Sequence, residues 1–75
     1  MITPAQIKAA RKLLAWPQMT LALESNLAPT TIGSIETGKK NPSEVTLAII
    51  QRTFEKAGVE FLDGEPVRLK SARSP

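Results

Sequence analysis

Few side chains in this 75-residue chain are suited to acid–base or metal chemistry. It contains no cysteine and no histidine, which excludes structural zinc, thiol catalysis and the usual serine–histidine–aspartate hydrolases. Glu60, Asp63 and Glu65 lie close together in sequence and could suggest a carboxylate pair or a cation site. Asp63 and Glu65 belong to a turn that also contains Gly64 and Pro66, Glu60 precedes this turn, and no cleft that would adapt the three carboxylates for proton transfer is evident. We therefore expect a solvated turn there, and no catalytic activity, cofactor or metal.

Residues 33–40 imitate the glycine-rich loop that binds nucleotide phosphates, whose pattern is G-x-x-x-x-G-K-[ST]. The sequence GSIETGKK matches this pattern from Gly33 except at its last position. Lys40 stands there and has no hydroxyl with which to hold magnesium. No strand precedes the segment, and the spacing of Ile32 and Ile35 requires a helix. We conclude that this match is a coincidence.

The basic residues are unevenly distributed along the chain. The formal net charge is +3, and the whole surplus lies in residues 1–43, which carry five bases and two acids. Residues 44–75 carry five bases and five acids. A polyanion such as DNA is a natural partner for the first half, although an ordinary solvated surface would have the same composition.

Helix-capping residues predict where the first two helices begin. Thr3 is a good N-cap and forms a capping box with Gln6, which predicts a helix over about residues 4–15. Pro17 lacks an amide hydrogen and cannot lie inside that helix. We therefore expect Pro17 at the first position of a second helix, which ends near Ser25.

A tight turn over residues 26–28 is predicted between the second and third helices. Asn26 tolerates the left-handed conformation of a helix end. Pro29 marks the start of a third helix, which stops at Gly38. A fourth helix is capped by Ser43 and ended by Gly58. The apolar residues expected to face inward are Leu21, Ala22, Leu27, Ile32 and Ile35 in the helix pair, and Leu47, Ile50, Phe54 and Ala57 in the fourth helix.

The C-terminal residues predict a β-hairpin. Residues 59–62 and 67–70 alternate apolar and polar side chains, and the sequence DGEP over residues 63–66 is typical of a turn. We thus expect one mainly α domain over residues 1–70, with a flexible tail over residues 71–75. Two strands alone are marginally stable and expose unpaired edges. We therefore expect the hairpin, residues 59–70, to pack on the last helix and to mediate dimerisation through Val59, Phe61, Val67 and Leu69.

Two segments are similar to the lambda-repressor-like, or XRE-type, helix-turn-helix family. They are QMTLA, beginning at Gln18, and NLAPTTIGSIETG, beginning at Asn26. The family pattern is Q-x-x-L-A, a small turn residue, T-I-x-x-I-E-x-G and a basic loop, and the resemblance covers about residues 3–57. It implies a four-helix DNA-binding domain of a bacterial or phage transcriptional regulator, whose third helix enters the major groove. The hairpin lies outside the shared pattern.

The same resemblance implies roles for individual residues. It assigns base reading to Pro29, Thr30, Gly33 and Ser34, phosphate contacts to Gln18, Thr31, Lys39, Lys40 and Asn41, and a structural salt bridge to Arg11 and Glu36. The chain departs from the family pattern at Asn26, where Gly is usual, and at Ala28, where Ser or Thr usually caps the third helix. Because Pro29 and Gly33 lack side-chain donors and acceptors, we expect phosphate attraction and DNA shape to supply much of the binding.

Two functions remain open at this point. The first is a dimeric, sequence-specific regulator of transcription, a repressor of its own or a neighbouring operon that binds double-stranded DNA at an inverted repeat. The second is a protein-interaction module, antitoxin-like or an anti-regulator, that keeps the fold and binds a partner encoded nearby. Exposure of Met19 and Leu23 would suit a protein partner, whereas Trp16 is expected to pack inside. No apolar run approaches the roughly 18 residues of a membrane helix, so we expect a cytoplasmic protein that does not bind membranes.

Overall fold

A computed structural model describes residues 2–61 and 67–69 of the chain. Within these residues four helices are followed by a two-stranded antiparallel sheet. This confirms the mainly α architecture with a C-terminal hairpin. The elements are α1 (Pro4–Leu13), α2 (Gln18–Ser25), α3 (Pro29–Glu36), α4 (Glu44–Lys56), β1 (Val59–Glu60) and β2 (Arg68–Leu69).

The helix starts follow from local capping chemistry, with one correction. The Thr3 hydroxyl accepts a hydrogen bond from the Gln6 amide (3.1 Å), and the Thr3 amide donates to Gln6 Oε1 (3.0 Å), which completes the predicted capping box. Ser43 Oγ likewise accepts from the Thr46 amide (3.1 Å) at the start of α4. The placement of Pro17 at the first helical position was wrong. Its ψ of 163° is extended and its carbonyl accepts the amides that open α2, so Pro17 is the N-cap.

Left-handed residues follow all four helices. Asn26 (φ 62°), Gly38 (φ 81°) and Gly58 (φ 98°) adopt this conformation as their residue types suggest. Ala15 (φ 56°) does so without any such preference, and α1 therefore ends at Leu13, two residues before the predicted end. The Trp16 amide donates to the Arg11 carbonyl (2.8 Å), as in a Schellman motif. This bond holds Ala15 in a conformation that its own side chain disfavours.

The core lies between the four helices and the inner side of the hairpin. Trp16 stacks on Phe54 with ring centroids 5.8 Å apart, and Phe61 contacts the same ring at 5.9 Å. This confirms that Trp16 is partly buried and packs against the core. Burial of each large apolar side chain contributes about 1.5–3 kcal/mol, which makes this cluster the main source of stability in a small domain. The buried apolar residues are Ile2, Ile7, Ala10, Leu21, Ala22, Ile32, Ile35, Ile50, Phe54, Val59 and Val67.

The hairpin joins the domain through one side of its short strands. Val59 lies opposite Leu69, and Glu60 lies opposite Arg68, whose Nε donates to Glu60 Oε1 (2.8 Å). β1 packs against α4 and β2 against α1. Leu69 is 49% exposed, so the expectation that it packs on the last helix was wrong, because its strand lies beside α1. The predicted turn, with Asp63 and Glu65, and the predicted tail lie outside the described residues.

Candidate nucleic-acid interface

α2 and α3 form a compact helix pair with one continuous apolar contact. Leu21 and Ala22 of α2 and Ile32 and Ile35 of α3 are all buried. The Leu27 amide donates to the Ala22 carbonyl (3.0 Å), which closes the turn over residues 26–28. α3 thus buries one side against α2 and the core, and its opposite side is free to meet a partner. A helix of about 10–12 Å diameter fits a major groove of about 12 Å width.

The outer side of α3 carries two rows of the residues to which the family resemblance assigned base reading. Thr30 and Ser34 are four residues apart and share one row, while Pro29 and Gly33 share the next. Thr30 is exposed and Ser34 is half-buried. Neither hydroxyl makes a hydrogen bond within residues 2–61 and 67–69. Both hydroxyls can therefore donate to or accept from a base edge.

The segment that follows α3 places two lysines next to this surface. The amides of Lys39 and Lys40 both donate to the Ser34 carbonyl (2.9 and 3.2 Å), which ties the segment to the last turn of α3. Lys39, Lys40 and Asn41 are exposed. Neither lysine forms an ion pair in the described part of the chain. Their charges are thus available to phosphates beside the outer side of α3.

A buried ion pair joins α1 to the end of α3. Arg11 Nε lies 2.7 Å from Glu36 Oε2, and Arg11 Nη2 donates to Glu36 Oε1 (2.8 Å), the two-bond geometry that suits guanidinium and carboxylate. Arg11 Nη1 also donates to the Trp16 carbonyl (2.8 Å). The side chain of Glu36 is 1% exposed and that of Arg11 is 14% exposed. The pair therefore fixes the helix pair relative to α1.

The ion pair keeps Glu36 ionised despite its burial. Burial raises the pKa of the Glu36 carboxyl, but the hydrogen bonds from Arg11 and Gln18, with the charges of Arg11 and Lys8, outweigh it and hold that pKa below its usual value. The pKa of the Arg11 guanidinium is raised, chiefly by its hydrogen bond to Glu36 and in spite of its own burial. Both groups are thus charged at neutral pH.

Gln18 lies where α2 and α3 meet, a placement that the sequence alone did not indicate. Its Nε2 donates to Glu36 Oε1 (3.2 Å). Its Oε1 lies 3.5 Å from the point that a Cβ atom of residue 33 would occupy. Gln18 was predicted only as a phosphate contact. The sequence feature that could have indicated its contact with α3 is the occurrence of Gln18, Gly33 and Glu36 in one motif.

The residues predicted to mediate dimerisation are divided between the core and the surface. Val59 and Val67 are buried in the domain itself, Phe61 is half-buried against Phe54, and Leu69 is half-exposed.

Elsewhere on the surface Leu23 is 74% exposed, in line with the expectation from its position on α2. Val45, at 70% exposure, was not anticipated.

Other types of site find no support in the described residues. Gly33 lies inside α3 rather than in a phosphate-binding loop. Across residues 2–61 and 67–69, no three side chains suited to metal ligation come together. In the same ranges no helix has the length and apolar character needed to cross a membrane.

Comparison with known proteins agrees with the geometry of the helix pair. A family model described as Helix-turn-helix matches residues 7–61, which include all four helices except the first turn of α1. No curated protein is similar to the chain at a significant level. Members of the matched family are DNA-binding regulators. The chain therefore belongs to the lambda-repressor-like, or XRE-type, helix-turn-helix family.

Proposed function

We propose that this protein is a sequence-specific transcriptional regulator that inserts α3 into the major groove of double-stranded DNA. The observation that carries the proposal is the outer side of α3, where the Thr30 and Ser34 hydroxyls and the Lys39 and Lys40 charges lie together. Within residues 2–61 and 67–69, the hydroxyls make no hydrogen bond and the lysines make no ion pair. The ion pair between Arg11 and Glu36 holds α3 in a fixed position relative to α1. The surface thus combines base-reading groups with phosphate-binding groups on a rigid support.

The residues of this surface divide into two roles. Thr30 and Ser34 exchange hydrogen bonds with base edges, and the ring of Pro29 packs on a thymine methyl group. Lys39 and Lys40, together with Thr31 and Asn41, contact phosphates. Because a single hydroxyl discriminates less than a bidentate side chain, base reading is modest. Affinity then falls steeply with salt, since each phosphate neutralised makes the negative slope of log K against log salt steeper by about 0.9.

Selection from a random duplex library tests this division of roles. The wild-type protein is expected to enrich one sequence. The variants Thr30→Ala and Ser34→Ala are expected to enrich sequences that differ at one or two positions. Lys39→Ala is the matched control, which weakens binding to every duplex without changing the enriched sequence. A wild-type protein that binds all duplexes equally would contradict the proposal.

We further propose that the protein acts in the cytoplasm as a dimeric repressor of its own or a neighbouring operon. A two-fold dimer would place two copies of α3 in successive major grooves, with half-site centres about 34–36 Å apart on an inverted repeat. The hairpin supports this idea because its two short strands leave outer edges and Leu69 is half-exposed.

Light scattering at high micromolar concentration tests the dimer. The wild-type protein is expected to have twice the mass of the 8.1 kDa chain. Leu69→Glu is expected to give a monomer, and Leu23→Glu, on the exposed side of α2, serves as the matched control and stays dimeric. A monomeric wild-type protein contradicts hairpin-mediated dimerisation.

A second candidate function is that of a protein-interaction module. Met19 and Leu23 are four residues apart on α2 and are 54% and 74% exposed, which places two apolar side chains side by side on the surface. A partner encoded nearby would cover them. Formation of a stable complex with such a partner by a protein that shows no saturable DNA binding would favour this function over the first.

A further inference from the structure

We infer that Gln18 reads an adenine in the major groove, taking the place of the side chain that α3 lacks at Gly33. The resemblance to the helix-turn-helix family implied only a phosphate contact for Gln18. The inference rests on the proposed function, since it assigns a specificity-determining residue to the same DNA-binding surface. It depends on three features of the described residues: the direction of the Gln18 carboxamide, its position over α3 and its remaining hydrogen-bonding capacity.

Glu36 fixes the direction of the Gln18 carboxamide. An ionised carboxylate only accepts hydrogen bonds, and both Glu36 oxygens already accept from Arg11 (2.7 and 2.8 Å). Gln18 can join this group only through its amino end, and Nε2 donates to Glu36 Oε1 at 3.2 Å. The opposite orientation would place Gln18 Oε1 against a carboxylate oxygen, which is repulsive. The carboxamide therefore has one defined orientation, with Oε1 directed away from Glu36.

Gly33 leaves the space in which the carboxamide lies. A Cβ atom at residue 33 would lie 3.5 Å from Gln18 Oε1 and 4.0 Å from Nε2. These are ordinary contact distances, so an alanine fits, but a longer side chain would meet the carboxamide. Gln18 is itself only half-buried. A glutamine from α2 thus presents its polar end beside the row of α3 that begins with Pro29.

The remaining capacity of this carboxamide matches adenine. Nε2 has one hydrogen left after its bond to Glu36, and Oε1 accepts no bond in the described residues. Adenine offers a donor at N6 and an acceptor at N7 in the major groove, which complement an amide oxygen and an amide hydrogen. Guanine offers two acceptors at the corresponding positions, which would face Gln18 Oε1 unfavourably. Because Glu36 already restrains the side chain, little rotamer entropy is lost on binding.

Adenine analogues in the selected duplex test the inference. Each adenine of one half-site is replaced in turn by 7-deazaadenine, which lacks the N7 acceptor, and the affinity is measured by fluorescence anisotropy. For the wild-type protein, one position is expected to lose affinity by about 2- to 10-fold, the contribution of the single hydrogen bond that N7 accepts. For Gln18→Ala the loss at that position is expected to disappear, while losses at other positions persist. Met19→Ala, an exposed neighbour on α2, is the matched control and keeps the wild-type pattern.

Two substitutions at residue 33 provide an independent test in which Gln18 itself is unchanged. Gly33→Ala is expected to keep the sensitivity to 7-deazaadenine, because the added Cβ makes only ordinary contacts. Gly33→Leu is expected to abolish it, because the longer side chain displaces the carboxamide. Circular dichroism verifies that each variant is folded before the affinities are compared.

The outcomes separate this inference from the proposed function. If Gln18→Ala lowers affinity for every duplex by the same factor and keeps the wild-type base preference, Gln18 contacts a phosphate and the inference is overturned alone. Unchanged affinity and preference also overturn it alone. If the wild-type protein shows no base preference at all, the proposed function fails, and the inference fails with it.

Discussion

Removal of Arg11 leaves a carboxylate in the interior with too few partners. In Arg11→Met the side chain of Glu36, 1% exposed, keeps only the hydrogen bond from Gln18 among the bonds described. Breaking a buried pair by deleting one partner costs about 3–5 kcal/mol, because the other charge stays buried. A domain of 75 residues has a total stability of roughly 4–11 kcal/mol, at 0.05–0.15 kcal/mol per residue. This substitution is therefore expected to remove a large share of the free energy of unfolding.

Substitution of the other partner, Glu36, is expected to lower the free energy of unfolding by less. Glu36→Gln keeps the shape of the side chain and leaves Arg11 charged, but Arg11 is 14% exposed and still donates to the Trp16 carbonyl. We expect a loss of about 1–3 kcal/mol, the range for a buried group that loses part of its hydrogen bonding. The double variant Arg11→Met/Glu36→Gln is expected to be more stable than Arg11→Met alone, because no buried charge remains.

The contribution of Glu36 to the free energy of unfolding is expected to change with pH in opposite directions in the wild-type protein and in Arg11→Met. In the wild-type protein the folded-state pKa of Glu36 lies below the ordinary value for a glutamate, about 4.5. The stability contributed by Glu36 is thus present above about pH 4.5 and is lost as the pH falls through the folded-state pKa. In Arg11→Met burial dominates and raises the folded-state pKa of Glu36 above the unfolded value. In that variant the contribution of Glu36 is greatest at low pH and is lost as the pH rises through the raised pKa.

Urea unfolding, followed by the fluorescence of Trp16, measures both effects. Trp16 is the only tryptophan and packs on Phe54, so its emission reports on the core. The three variants and the wild-type protein are compared from pH 7 to pH 3 in a fixed concentration of a stabilising osmolyte, which keeps the weakest variant folded. Equal losses for Arg11→Met and Glu36→Gln, or parallel pH profiles for Arg11→Met and the wild-type protein, would refute the reasoning.

Three further predictions concern DNA binding and the helix ends. Lys39→Ala and Lys40→Ala are each expected to reduce the magnitude of the slope of log K against log salt by about 1. Anisotropy titrations at several salt concentrations measure this slope. An unchanged slope would show that the substituted lysine does not contact a phosphate. Ala15→Gly is expected to raise the free energy of unfolding by about 0.5–1 kcal/mol, because Ala15 is exposed and has a φ of 56°. Thermal unfolding measures this effect, and a lower melting temperature for the variant would contradict it. Asn26→Ala is expected to lower the free energy of unfolding by about 1 kcal/mol in the same assay, since alanine is less tolerant of a φ of 62°. Equal stability of Asn26→Ala and the wild-type protein would mean that the turn does not depend on this residue type.

Features that depend on neighbouring residues in the chain could be predicted from the sequence. Thr3 with Gln6, Ser43 and Pro29 mark the starts of α1, α4 and α3 because capping chemistry acts within one turn. Asn26 marks the end of α2 for the same local reason. These signals, together with the apolar spacing, were sufficient for the four-helix architecture.

Features that depend on tertiary contacts could not be predicted in this way. Nothing in an alanine side chain indicates a left-handed residue at Ala15, which is held there by backbone bonds to residues of α1. The exposure of Leu69 depends on β2 lying beside α1, which its alternating pattern does not reveal. The contact of Gln18 with Glu36 joins residues 18 positions apart and likewise required the folded structure.

Anisotropy titration of labelled DNA tests the central claim, that this helix-turn-helix protein reads DNA sequence, most directly. DNA from the region upstream of its own gene is compared with a scrambled duplex of the same composition, at low and at near-physiological salt. We expect tighter binding to the upstream DNA, with a preference that persists at the higher salt, because base contacts do not depend on counterion release. Equal binding to both duplexes that disappears as salt is raised would show phosphate attraction alone and would contradict the claim.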